Sequence, residues 1–294
     1  MQRWIGSVSI GLGISVLACP AFADGGYSAC SGLPSQAALQ TALDGAVGVA
    51  GNGGLGFNMW GTLVANDGTV CAVAFSGTRY TDQWLGSRVI SAQKANTAND
   101  FSLGEKSNIP AGSLFPNGLA LSTANLYSAV QPGGTLYGLQ HSNPVDPEVA
   151  YQGDATSFGT AHDPLVGQRV GGVNVFGGGL VLLQQGGIKV GGVGVSGDTS
   201  CTDHMVAWRV RNSLHLDHFG PTGAAVGGVS GDNTHPDNII FDFTLTSDGG
   251  ILNPNGYTST STNKGMAVSS PSGFGHPMCL NPPTLSTLPP VQNP

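Results

Sequence analysis

"GGVNVFGGGLVLLQQGGIKVGGVGVSGDTSCTDH", residues Gly171 to His204, decides the fold. Its glycines are dense and its apolar residues short. A phosphate-binding loop would carry Gly-Lys-Ser/Thr between a strand and a helix. Here the glycines lie inside apolar runs and no such triplet occurs. A flexible linker would be poorer in Val and Leu. The stretch therefore reads as sheet. Val173–Phe176 and Leu180–Leu183 are short strand signals, and Gln185-Gly186-Gly187 is a hairpin turn. From Val190 to Val195, Val alternates with Gly, which suits a strand lying under a closely packed helix. The sheet then runs into a helix, "TDHMVAWRVRNSL", which Asp198, Thr199 or Ser200 can cap and which buries Val206, Val210 and Leu214.

Upstream, "PSQAALQTALDGAV" (34–47) places Leu39, Leu43 and Val47 at helical spacing, and the glycines from Gly48 to Gly56 end that helix. "MWGTLVANDGTVCAVAFSG" (59–77) reads as two strands joined at Asn66-Asp67-Gly68. "GSRVISAQKANTANDFSL" (86–103) is a second helix, and "STANLYSAV" (122–130) a short third, stopped by Pro132-Gly133-Gly134. Residues 138–170 have no steady period and read as a long loop. After Leu216 the composition shifts to Gly, Pro, Asn, Ser and Thr, with one more strand signal in "DNIIFDFTL" (237–245) and an irregular tail from Asn253.

The chain has 294 residues, of which 9% are charged and 40% hydrophobic, and a net charge of −7. That composition is globular and lacks the basic face a nucleic-acid partner requires. Arg3 is the only charge in the first 23 residues, Ile5–Leu17 is apolar, and Ala21-Phe22-Ala23 is a small-x-small cleavage pattern. Residues 1–23 thus read as a cleaved export signal, with a periplasmic or secreted mature chain beginning at Asp24. The apolar run is shorter than the roughly 20 residues a membrane span needs. Cys19 leaves with the signal. Cys30, Cys71, Cys201 and Cys279 remain, which suggests two disulfides with three possible pairings. No Cys-x-x-Cys supports the rival reading, a metal site.

With "SAQKANTAND", "QPGGTLYGL", "GGVNVFGGGLVLL" and "GGIKVGGVGVSGDTSCTDH" in this order, residues 33–215 resemble the GlcG/HbpS-like haem-binding family, also called DUF336. The resemblance implies an α+β fold: a profilin-like, five-stranded antiparallel sheet with packed helices. It also implies homo-oligomers and a haem or related small anionic ligand. The domain would span 24–216 with an insertion at about 138–170, and residues 217–294 would form a Gly/Pro/Ser-rich extension packed on it. Asp203-His204 stands where the family carries Asp-Glu, and the stretch from His141 to Arg169 is longer than the usual connection. The family's sheet order implies the pairings Cys30–Cys71 and Cys201–Cys279.

Several residues carry possible chemistry. Lys94 shares a helix face with Ile90, Thr97, Ala98 and Phe101. Such a lysine is either an anion clamp or a structurally paired cation. Arg88 and Trp84 lie nearby in sequence and would share its pocket, unless Trp84 is core. His204, in the first turn of the last helix, is the candidate haem iron ligand, because iron takes a neutral imidazole. Trp208 would be its aromatic wall. The plainer reading is a polar histidine that closes the cap. His141 is the second candidate ligand; it and His162 lie in the insertion, where surface positions are the default. Tyr137, Asn174, Asp198 and Asp203 are polar groups near element ends. No Cys-x-x-Cys-His, Gly-x-Ser-x-Gly, His-Glu-x-x-His or Walker loop occurs. The expected function is haem capture, transfer or redox sensing outside the cytoplasm, without covalent attachment. The alternatives are a cofactor-free periplasmic lyase or hydrolase acting on a small oxygenated substrate, and a structural partner of a periplasmic oxidoreductase.

Overall fold

In the computed structural model, which describes residues 29–105, 107–246, 251–252, 258–259 and 267–292, the alternating Val–Gly run is a strand. In chain order the elements are α1 (Gln36–Val47), β1 (Trp60–Ala65), β2 (Val70–Phe75), α2 (Ser87–Asp100) and the two-residue β3 (Leu119–Ala120). The one-turn helices α3 (Leu139–Ser142) and α4 (Pro147–Ala150) follow. Then come β4 (Gly179–Gln184), β5 (Ile188–Ser196), α5 (Ser200–Ser213) and β6 (Gly227–Gly228), which pairs in parallel with β3. The main sheet is antiparallel with order β2-β1-β5-β4.

Side-chain alternation sorts this sheet into two faces. Leu63, Leu180, Val193 and Val195 join Leu39 and Leu43 of α1 and Val206 and Val210 of α5 in one core. Trp60, Val64 and Val73 face the other way, onto Val89, Ala92 and Ala95 of α2. The glycines of β5 make that second contact possible. A Cβ on Gly194 would collide with the Ser91 carbonyl of α2, so α2 lies directly on the β5 backbone. The cap of α5 is Thr199, whose side chain accepts from Thr202 N. Two disulfides, Cys30–Cys71 and Cys201–Cys279, close the structure as the family-like sheet order implied.

Several expectations need correction. The main sheet has four strands among the described residues, where five were expected. Val173–Phe176 joins no ladder among the described residues; a side chain takes a backbone donor inside it, Asn174 N to Thr97 Oγ1 (2.9 Å), and another the donor just beyond it, Gly177 N to Ser200 Oγ (2.6 Å). The expected third helix is two 3-10 turns, Thr123–Leu126 and Ser128–Val130, started by reciprocal bonds between Ser122 and Asn125. Of "DNIIFDFTL", only the last two residues pair as strand, within Thr244–Thr246 against Ala267–Ser269. The export signal lies outside the described residues. No helix among them is long and apolar enough to cross a membrane.

The segment after α5 returns to that helix. Trp208 Nε1 donates to Pro289 O (2.9 Å), and Arg209 Nη2 to Thr287 Oγ1 (2.7 Å). Leu288 and Val291 enter the core against α1 and α5.

Candidate functional site

Lys94 and Asp203 meet at the centre of the molecule. Both are fully buried, and Lys94 Nζ donates to Asp203 Oδ2 (2.6 Å) and to Val195 O (3.1 Å). The ammonium also sits 4.4 Å from the centre of the Phe176 ring. Asp203 accepts two backbone donors as well, Gly197 N (3.1 Å) and Asp198 N (2.9 Å). Burial pushes the Asp203 carboxyl up to about 6 against the pull of Lys94, and burial lowers Lys94. Gly178, at φ +115°, carries the chain past this pair; a Cβ there would lie 2.9 Å from Asp203 Cβ and 3.1 Å from Nζ. Lys94 is thus the paired lysine rather than an open clamp.

Arg88 is buried elsewhere. Its guanidinium grips Asp163 through Nε (2.9 Å) and Nη2, donates to Ala150 O (3.2 Å), and lies 3.7 Å from the Phe158 ring centre. It ties α2 to the 138–170 insertion and shares no pocket with Lys94. A third buried pair joins Arg211 of α5 to Asp237 (2.6 and 2.9 Å), with the guanidinium 4.5 Å from the Trp208 ring centre. Sequence reasoning missed Asp163, Arg211 and Asp237. Arg211 was findable: Asp203, Ala207 and Arg211 recur every four residues beside the buried Val206–Val210 stripe.

His204 is fully buried on α5. Its Nε2 lies 3.1 Å from Asn238 Oδ1, which also accepts from Ile239 N (2.8 Å), and its Nδ1 has no partner among the described residues. Burial pulls it down to about 4, so the ring is neutral. Trp208, also buried, is 6.0 Å away ring to ring. Neutrality and a bare Nδ1 suit iron, but no face of the ring is exposed. The set Lys94, Asp203, His204 and Trp208 is brought together as core, and it does not fit a macrocycle in this structure. Asn174 is buried near Thr97, with an Oδ1 that has no partner among the described residues. Tyr137, just before the insertion, and His141 and His162 on it are exposed, apart from this cluster.

Ser200 and His276 form a second cluster unseen in the sequence. Nδ1 of His276 donates to Pro277 O (2.7 Å), leaving Nε2 to accept the Ser200 hydroxyl (2.7 Å). Burial pulls His276 down to about 4, a weak base at neutral pH, and Ser200 Oγ is already held by Gly177 N. This pair is poorly suited to nucleophilic catalysis.

An open cleft of about 490 Å³ lies at the start of α5, lined by the loop after α1 and by tail residues Asn281, Pro282 and Thr284. Asp198 forms part of its wall, but Leu55 N, Phe57 N and Thr199 N all donate to that carboxylate. Gly51, Gly53, Gly54 and Gly56 hold positive φ, which lets this loop wrap Asp198. Phe57 lines the cleft and packs edge-on against Trp84 (5.3 Å between ring centres). Trp84 is 52% exposed, so it is neither core nor beside Lys94, and Leu55 and Leu85 are exposed with it.

No family model matches the chain, and no curated protein matches it. Among solved structures the chain is similar to Klebsiella pneumoniae protein ORFY, described as DUF336, at 22% identity and a TM-score of 0.38, over 62% of this chain and 90% of that one. It is also similar to a PduOC:heme complex at 22% identity and a TM-score of 0.38, over 60% of this chain and 89% of that one. DUF336 is the family whose motifs the sequence resembles.

Proposed function

We propose that this chain is an exported binding protein for a flat ligand, haem or a related macrocycle, seated in the cleft at the start of α5. One observation carries the choice of seat: the cleft combines an open volume with the Phe57 ring, which Trp84 packs against from outside the lining, while the charged residues first read as a ligand clamp are locked in buried ion pairs. Its volume falls in the roughly 300–1,000 Å³ range of small-molecule sites. Asp198, the ionisable lining residue, is occupied by backbone donors, so binding is favoured over acid–base chemistry. The ligand would be held by stacking on Phe57 and by a polar contact from the exposed Asn281. Iron ligation by His204 forms no part of this reading.

Titration with haemin and with iron-free protoporphyrin IX, followed by absorbance and by quenching of tryptophan fluorescence, tests it. Both should bind with similar affinity, Phe57→Ala and Trp84→Ala should each weaken binding about tenfold, and His204→Ala should leave it unchanged in a folded protein. Binding of haemin alone, abolished by His204→Ala, would move the site to the core cluster. Binding of neither compound would overturn the proposal.

A further inference from the structure

The Cys201–Cys279 bond lies against a third soft ligand. His276-Pro277-Met278-Cys279 is a His-x-x-Cys segment, short enough for both side chains to reach one ion. Cys201 comes from the first turn of α5. One ligand atom from each of Cys201, His276 and Cys279 lies within 4.8 Å of the others, and His276 Nδ1 is 4.0 Å from Cys201 Sγ. Cys201 and His276 are buried and Cys279 partly so. Cys201 N donates to Cys279 Sγ (3.2 Å), so the start of α5 already directs a backbone donor at that sulfur. Such a donor favours thiolate over thiol.

We infer that Cys201, Cys279 and His276 form a redox-gated site for a soft divalent cation of the zinc class, closed as the disulfide and opened by a dithiol reductant. One reductant thiolate attacks the partly exposed Cys279 Sγ, and Cys201 leaves as a thiolate at the start of α5. The reductant's second thiol then closes its own disulfide and releases Cys279. Two electrons pass from the dithiol to the protein disulfide. The cation binds both sulfurs as thiolates, and their two protons go to solvent.

Two thiolates and a neutral imidazole around a dication carry no net charge, which suits a buried position. The second contact of the imidazole is also present. When Nδ1 gives up Pro277 O for the cation, Nε2–H donates to Ser200 Oγ, now 2.7 Å away, and holds the ring in the ligating tautomer. Three protein ligands leave one position for water.

The test uses the mature chain, reduced with dithiothreitol, desalted under nitrogen and titrated with Co²⁺, then with Zn²⁺ in competition. The reduced protein should take one equivalent of Co²⁺ with a thiolate-to-cobalt charge-transfer band, and the oxidised protein should show none. His276→Ala should weaken binding at least tenfold. Cys201→Ser/Cys279→Ser should abolish the band although Cys30 and Cys71 are still present as thiols. A band that survives in this double variant, or its absence in reduced wild type, would overturn the proposal. So would a reduced chain that loses its far-ultraviolet circular dichroism and is not restored by Zn²⁺. Alkylation mapping gives an independent reading: Zn²⁺ should protect Cys201 and Cys279 but not Cys30 and Cys71, and equal labelling of all four would count against the site.

Discussion

Lys94→Met separates the paired lysine from the ligand clamp. Methionine keeps most of the stem and removes the ammonium that Asp203 Oδ2 meets at 2.6 Å. Asp203 then retains only its backbone donors, Gly197 N and Asp198 N, in a fully buried position. Removing one partner of a buried pair costs about 3–5 kcal/mol, and in a chain of this size that lowers Tm by roughly 10 °C. The pH dependence has a definite sign. Burial already holds the folded Asp203 carboxyl at about 6, above its unfolded value of 3.8, and loss of Lys94 moves it further up. A carboxyl that binds its proton more tightly when folded favours the folded state at low pH, and this contribution is lost as pH rises through the folded value. The penalty should therefore be larger at pH 7 than at pH 5. Urea unfolding at both pH values measures it. Lys94→Met/Asp203→Asn should recover most of the loss at pH 7, since the amide oxygen can still accept the two backbone donors. A loss below about 1 kcal/mol at pH 7, or one that is unchanged at pH 5, would refute the pairing argument. Weakened haemin binding with an unchanged Tm would restore the clamp.

Arg88→Met should strip Asp163 of its guanidinium while leaving the Gly159 and Leu165 amides; limited proteolysis should then cut within 138–170 much faster, with an overall cost of about 3 kcal/mol. Gly194→Ala drives a methyl into the Ser91 carbonyl and should cost about 3 kcal/mol in chemical denaturation. Gly45→Ala, on α1 with open space around the new methyl, should instead stabilise by about 0.5–1 kcal/mol. His204 and His276 are both held near 4 in the folded state, below the usual 6.5, so each contributes stability that is present above 6.5 and lost as pH falls toward 4. The loss should be roughly 3 kcal/mol per residue, and His204→Gln should flatten the stability–pH curve by about half.

The sheet was legible because two periods meet in it. Val–Gly alternation in β5 marks both the strand and the helix lying on it, and Asn66-Asp67-Gly68 marks the β1–β2 turn. Val173–Phe176 carries the same period-two signal yet joins no ladder among the described residues; Thr97 and Ser200, far away in sequence, take the backbone donors inside it and just beyond it. Lys94 stood out as a cation on an apolar face, but its partner lies 109 residues away in a different helix, beyond any local pattern. The neutrality of His204 was anticipated from its place at a helix start; the larger cause is burial, contributed partly by a segment that looked irregular. The cleft was illegible. Its glycines read only as the end of α1, and their role depends on Asp198, more than 140 residues further on.

Among the described residues, Arg88, Lys94 and Arg211 are buried in ion pairs, in a protein where only 9% of residues are charged. Hydrophobic replacements of similar volume often match or exceed the stability of such pairs. What distinguishes these is where they reach. Arg88 joins α2 to the insertion, Lys94 joins α2 to α5 at the end of β5, and Arg211 joins α5 to the segment beyond it. Each thus links a helix to an element that short-range propensity alone does not position. Apolar contacts tolerate sliding, whereas a bidentate guanidinium–carboxylate pair tolerates very little. The cleft at the start of α5 draws on other materials, glycine backbone and the Phe57 ring.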